Sequence, residues 1–356
     1  MERLTYPETL DGMTAHLRER MPVDTTDDEI RHAAELALEV NRLKAERNAI
    51  LLGHNYMAPS LYLSVPDYTG DSLGLSRIAA ASDADVIIFL GVRFMAETAK
   101  ILNPERRVLL PSPKGGCSLA EAISAQDVRQ LREQYPDTPV VSYVNTYAEV
   151  KAETDICCTS SNAAEVVRHL QAQGHQRVIF LPDEYLGSNV ARDTGMEIVF
   201  PQKTPRARAD DPENLTRVMV GWHGRCEVHE QFTVADIEKI REQYPDVYVL
   251  AHPECHPEVV AASDFSGSTT GMIKHIQQMQ ANRYLLLTEC AMGDNIAAET
   301  PDKEMLRLCS VRCPHMQEVT LEDTLLALRE DRYVIDVPAE IADRARASLD
   351  RMIAIG

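Results

Sequence analysis

Residues 115–137 read GGCSLAEAISAQDVRQLREQYPD, and residues 224–246 read GRCEVHEQFTVADIEKIREQYPD. The hexapeptide REQYPD is identical in both, 109 positions apart. Sliding the chain by that offset superposes more than the hexapeptide. Cys117 falls on Cys226, Tyr143 on His252, Asn145 on Glu254 and Ser160 on Thr269. The overlap is expected to run without a gap for about 60 residues, too long for chance likeness between α/β segments.

A third copy begins at Ala49, in AILLGHNYMAPSLYLSVPDYTGDSLGLSRIA. An apolar run leads to the pair His54/Tyr56, and Ser72 follows in a small hydroxyl cluster. A third cysteine segment lies near the C-terminus. Cys313 precedes Asp323 by ten residues, as Cys117 precedes Asp127 and Cys226 precedes Asp236.

Around the repeat, short apolar runs alternate with amphipathic stretches. The runs are AILLG, DVIIFLG, RVLLP, PVVSYV, RVIFLP, VMVGW, VYVLA and YLLLTE. Such alternation predicts parallel sheets flanked by helices. The expected fold is α/β: three homologous three-layer α/β domains around a pseudo-threefold axis, with the active site at their junction. The expected borders are an N-terminal extension over 1–24, domains over 25–115, 116–222 and 223–312, and a C-terminal segment, 313–356, that supplies the last cysteine. Residues up to about Asp24 show no strong pattern, whereas TTDDEIRHAAELALEVNRLKAERNA predicts a capped helix and PAEIADRARASLDRMIAIG another.

Composition limits the functions available. A formal charge of −19 disfavours nucleic acid as a partner. No apolar run reaches the roughly 20 residues that span a bilayer, and the N-terminus lacks a signal-peptide pattern. A cytoplasmic enzyme is expected, with its eight cysteines as thiols or metal ligands rather than disulfides.

Three copies arranged about one axis bring Cys117, Cys226 and Cys313 together. Three thiolates at one point suit a metal site with an open coordination position, and composition does not choose iron over zinc. Cys157, Cys158, Cys255, Cys290 and Cys309 read as small buried hydrophobes. The pairs His54/Tyr56, Tyr143/Asn145 and His252/Glu254 fall at the carboxyl ends of strands, where open α/β sheets bind ligands. Residues two apart on a strand point the same way. Together the pairs form an acid–base and hydrogen-bonding set. The clusters GDSLG, TSSNA and GSTTG precede helices, whose N-termini bind anions or are simply capped by the hydroxyls. His229, three residues after Cys226, breaks the symmetry and is a candidate beside the metal.

Several segments resemble the quinolinate synthase family. They include GHNYMAPSLYLSVPDYTGDSLGLSR, GVRFMAETAKILNPERRVLLPSPKGGCSLAE, SYVNTYAEVKAETDICCTSSNA, HGRCEVHE, HPECHPEVVAASDFSGSTTGM and CPHM. The resemblance implies condensation of iminoaspartate with dihydroxyacetone phosphate to quinolinate, with loss of phosphate and two waters. It implies a [4Fe-4S] cluster on Cys117, Cys226 and Cys313, whose unique iron acts as a Lewis acid. It assigns substrate contact to His54, Ser72, Tyr143, Asn145, Ser160, His252, Ser268 and Thr269, and a cavity wall to Met95. It assigns proton transfer to Tyr56 and Glu254, with His229 nearby, and makes L-aspartate oxidase a plausible channelling partner. Two departures stand out. Asn55 replaces a common Tyr, and is expected to point away from the cavity with little consequence. Cys309 lacks the spacing of a redox-active C-terminal set. Readings outside this family are a three-lobed anion-binding or sensor protein and a zinc-dependent hydrolase.

Overall fold

The inner strands are the apolar runs. Each is buried on both faces, as parallel strands between helices must be. In the computed structural model, which describes residues 3–201, 217–308 and 311–355, these strands belong to three parallel sheets. The first contains β1 (Ala49–His54), β2 (Tyr68–Gly70), β3 (Val86–Leu90) and β4 (Arg107–Leu109), in the order β2-β1-β3-β4. The second contains β5 (Val140–Tyr143), β6 (Ile156–Cys158), β7 (Arg177–Leu181), β8 (Glu197–Val199) and β9 (Val218–Val220), in the order β6-β5-β7-β9-β8. The third contains β10 (Tyr248–Ala251), β11 (Phe265–Ser266), β12 (Arg283–Leu287) and β13 (Glu304–Arg307), in the order β11-β10-β12-β13. In every sheet the first strand lies between the second and third. The repeat is therefore topological, and the middle unit carries one added strand.

The helix before each central strand repeats as well. Ala125–Gln134 and Val234–Gln243 start 109 residues apart, each with a reciprocal capping box, Ser124/Asp127 and Thr233/Asp236. The arginine of REQYPD has a defined task at the end of each helix. Arg132 Nη2 bonds Asp155 at 2.7 Å, and Asp155 Oδ2 accepts Val140 N at 2.7 Å. Arg241 Nη2 bonds Asp264 at 3.0 Å, and Asp264 Oδ2 accepts Val249 N at 2.8 Å. In the first unit Lys44 and Asp67 play these parts, with Asp67 Oδ2 accepting Leu51 N at 2.8 Å. The motif tethers a helix end to the start of its central strand.

Two expectations need correction. The overlap of the second and third copies is not gapless. It holds at 109 residues through β6 and β11, then becomes 106, because Ala163–Ala172 matches Thr269–Gln278 and β7 matches β12. Three extra residues lie in the turn at 159–162, which Asn162 Oδ1 closes by accepting Thr159 N at 2.8 Å. The segment before Asp24 also contains a helix, Leu10–Arg20, capped by Thr9 and burying Met13 and Leu17. Two buried side chains are too few to leave a periodic signature.

The C-terminal segment returns to the first unit. Its helix Leu321–Glu330 packs on Asp27–Glu46. Tyr333 N donates to Leu110 O at 3.1 Å and Ile335 N to Val108 O at 2.9 Å, beside β4. The last helix, Ala339–Ala354, packs against both first and second units, burying Ala345, Leu349 and Met352. Among the described residues no helix is long and apolar enough to cross a membrane. Cys309 lies outside the described residues.

Candidate active site

Each sheet ends its central strand at one shared cavity. His54 and Tyr56 come from the first unit, Tyr143 and Asn145 from the second, and His252 and Glu254 from the third. Ser72, Met95, Ser160, Thr269 and His229 also line it. So do Cys117, Cys226 and Cys313. Of the residues expected at the site, Ser268 alone is set back. It caps Thr269–Gln278, and its hydroxyl donates to Asp71 Oδ2 at 3.0 Å. Asp71 lines the cavity in its place. Ser72 and Thr269 are the first residues of their helices, but Ser160 sits in the longer turn before Ala163.

The three cysteines share one local design. Each cysteine carbonyl accepts the N–H four residues on: Glu121 at 3.1 Å, Glu230 at 3.0 Å and Gln317 at 3.2 Å. Seven residues on, Ser124, Thr233 and Thr320 cap the next helix. Two residues before each cysteine, a carbonyl accepts an N–H from the helix after the third strand. These bonds are Arg93 N to Gly115 O at 2.7 Å, Glu184 N to Gly224 O at 2.8 Å and Cys290 N to Val311 O at 3.1 Å. Every cysteine loop is thus pinned to the unit that precedes it.

All three are free thiols. Burial pushes Cys117 up to about 12 and Cys313 up to about 11, and Cys226 well above the usual thiol range. Without a cation they are protonated, and ligation is what ionises such groups. Cys226, His229 and Glu254 also offer ligand atoms within 4.8 Å of one another.

The same cavity holds neutral donors. Tyr56 N donates to His54 Nδ1 at 3.2 Å, and Glu254 N to His252 Nδ1 at 3.4 Å. The proton of each neutral ring is therefore on Nε2. Burial lowers His54 to about 4 and His252 to about 3, so both are neutral near pH 7. Asn145 Oδ1 is buried without a partner among the described residues and awaits a donor.

A hydrogen-bonded chain crosses the floor. Glu254 Oε2 lies 2.7 Å from His229 Nδ1, and a carboxylate accepts, so Nδ1 carries the proton. His229 Nε2 then accepts from Thr288 Oγ1 at 3.0 Å, and Thr288 accepts from the Tyr56 hydroxyl at 2.5 Å. Tyr143 bonds Glu254 from the other side. Burial alone would raise the Glu254 carboxyl. The hydrogen bonds donated by His229 and Tyr143 counter it and hold Glu254 below the usual carboxylate range. Burial raises Tyr56 and Tyr143 far above the ordinary phenol value. Asp183, fully buried, is raised by burial and by the Glu254 charge.

Sequence reasoning missed Thr288, Asp71 and Asp183. Asp71 stands inside the GDSLG cluster and could have been found as a helix cap. Asp183 caps Glu184–Thr194, accepting Leu186 N at 2.6 Å, and could have been found in the same way, whereas Thr288 carries no local signal. Asn55 does point away from the cavity, yet it has a task. Its amide donates to Thr269 Oγ1 at 2.9 Å and ties the first unit to the third.

The fold and the cavity define a three-unit α/β protein whose shared cavity is lined by three free thiols together with histidine, tyrosine and glutamate side chains. The particular family follows from comparison. The family model described as quinolinate synthetase A protein matches residues 38–354, and the chain belongs to that family. The chain is 50% identical over 313 residues to quinolinate synthase 2 of Mesorhizobium japonicum, covering 88% of this chain and 89% of that one. It is 50% identical to quinolinate synthase of Xylella fastidiosa over 313 residues, covering 88% and 85%. It is 44% identical to quinolinate synthase of Caulobacter vibrioides over 349 residues, covering 98% and 89%.

Proposed function

We propose that the chain is a quinolinate synthase of NAD biosynthesis. It condenses iminoaspartate with dihydroxyacetone phosphate and releases quinolinate, phosphate and two waters. The observation that carries this reading is the convergence on one cavity of three cysteines and three strand-end pairs, one pair from every unit.

Cys117, Cys226 and Cys313 would hold a [4Fe-4S] cluster, which supplies a Lewis-acidic iron with a position open to substrate. The protein's own groups do the rest. The substrates carry two carboxylates and a phosphate. The Nε2–H groups of His54 and His252, the hydroxyls of Ser72, Ser160 and Thr269, and the N-termini of Ser72–Ala81 and Thr269–Gln278 bind them without adding an acid. Asn145 Oδ1 accepts from an N–H or O–H of the bound molecule. Glu254, kept ionised, removes protons, and His229 and Tyr143 steady its charge. The chain can carry the Tyr56 phenol proton through Thr288 to His229 Nε2 as the Nδ1 proton of His229 passes to Glu254. Met95 closes the wall. Ser268 acts one step back, holding Asp71.

The domain borders at 25–115, 116–222 and 223–312 belong to the same proposal, as do a cytoplasmic location and supply of the imine by L-aspartate oxidase. A second reading, a mononuclear zinc hydrolase, draws on the ligand group Cys226, His229 and Glu254. Anaerobic turnover separates the two. Quinolinate and phosphate should form in equal amounts from iminoaspartate and dihydroxyacetone phosphate. A preparation loaded with iron and sulfide that forms no quinolinate would refute the proposal.

A further inference from the structure

The second member of each strand-end pair sits on a loop whose backbone is gripped from behind. Asn189 Nδ2 donates to Pro253 O at 2.9 Å and Cys255 O at 3.1 Å, the carbonyls on either side of Glu254. Asn295 Nδ2 donates to Asn55 O at 3.1 Å and Met57 O at 2.9 Å, on either side of Tyr56. Lys151 Nζ donates to Val144 O at 2.9 Å and to Thr146 O, on either side of Asn145. All three donors are buried, at 3%, 2% and 0% exposure.

The two asparagines are copies of one position. Each is the sixth residue of its helix, Glu184–Thr194 and Cys290–Glu299, and each reaches into the next unit. The first unit's counterpart, in Arg93–Leu102, is Thr98, whose hydroxyl bonds Phe94 O within its own helix. A threonine is too short for the task. Lys151, from the second unit itself, makes the equivalent pair of bonds. The 109-residue counterpart of Lys151 is Val260, which has no such donor. The grip is thus threefold in effect, though the residue supplying it differs.

We propose that Asn189, Asn295 and Lys151 are positioning residues that aim Glu254, Tyr56 and Asn145 into the cavity. Burying a lysine with no carboxylate hydrogen-bonded to it is costly, and so is leaving an amide oxygen unpaired. Asn189 Oδ1 and Asn295 Oδ1 are both buried without a partner among the described residues. Leu would fill either asparagine site without those costs, but it cannot hold two carbonyls apart. The first of the two carbonyls fixes the peptide that enters the central residue and the second fixes the peptide one residue beyond it, which together limit the direction of the side chain between them. Catalysis tolerates little misalignment of such groups.

The roles assigned to Glu254, Tyr56 and Asn145 rest on the proposed function, but the grip itself does not. Hydrogen exchange on anaerobically reconstituted Asn189→Leu, Asn295→Leu and Lys151→Met tests the grip directly. Each variant should exchange about tenfold faster in its own loop, around Glu254, Tyr56 or Asn145 respectively, and be unchanged in the other two. No local change, or an equal change in all three loops, overturns the proposal. Lys151→Gln keeps an amide donor on a shorter stem and should give a partial effect if Lys151→Met fails to fold. Activity adds a second readout. Losses in kcat/KM, taken mainly in kcat, should fail to add for Lys151→Met with Asn145→Ala and should add for Lys151→Met with Tyr56→Phe. Additivity in both pairs refutes a positioning role. Loop-specific exchange in a wild-type protein that forms no quinolinate would sink the proposed function and leave the grip standing.

Discussion

Thr288→Val replaces a hydroxyl by a methyl of similar shape at a site only 3% exposed. The hydroxyl links the Tyr56 phenol at 2.5 Å to His229 Nε2 at 3.0 Å. Two buried hydrogen bonds are lost, each worth about 1 kcal/mol net. If both act on the transition state, the loss of about 2 kcal/mol corresponds to roughly a 30-fold fall in kcat/KM. The remaining Tyr56–His229 approach, 3.4 Å, is too long to replace them. Thr288→Ser keeps the hydroxyl and should stay within about threefold of wild type. The assay is anaerobic quinolinate formation, with iron content and thermal midpoint measured on the same samples. A Thr288→Val enzyme within twofold of wild type, with its metal intact, would show that protons do not pass through this chain.

Other consequences follow from different parts of the molecule. Arg241→Leu should cost about 1 kcal/mol in denaturant unfolding, because the Arg241–Asp264 pair is more than a third exposed, and should leave kcat unchanged. Glu153 is raised by burial but lowered more by hydrogen bonds from Arg344 and Arg129, so its folded pKa lies below its unfolded one. Its contribution is complete above the unfolded value and disappears as pH falls through the folded value. The stability gap between wild type and Glu153→Gln, read by thermal melts, should therefore narrow as pH falls below the ordinary glutamate range. A gap that does not change on acidification would contradict that linkage.

What could be read in the sequence was what the fold repeats locally. Cys117, Cys226 and Cys313 keep a fixed distance to a Ser or Thr cap and its Asp, because each must turn the chain into a helix in the same way. The inner strands announced themselves as apolar runs. The missed strands, β2, β6, β8, β11 and β13, are all sheet edges of two to four residues, too short for a pattern. The 106-residue register after β6 was hidden because Ser160 and Thr269 are both small hydroxyl residues and align plausibly when wrong by one turn. Thr288, Asn189 and Asn295 left no local signal because their meaning lies in contacts across units, and Lys151 left none because its partners are backbone carbonyls of its own unit. The asparagines could have been found by restarting the alignment at an offset of 106, where Asn189 falls on Asn295.

The central claim is that one cysteine each from the second unit, the third unit and the C-terminal segment meet at a common metal centre. Iron and acid-labile sulfide per chain, measured after anaerobic reconstitution, test it most directly. The account predicts four of each in the wild-type chain and in Cys255→Ser, whose thiol lies outside the cavity lining, with loss of the intact cluster in Cys117→Ser, Cys226→Ser and Cys313→Ser alike. Stoichiometric zinc without sulfide, or a full cluster in any of those three variants, would contradict it.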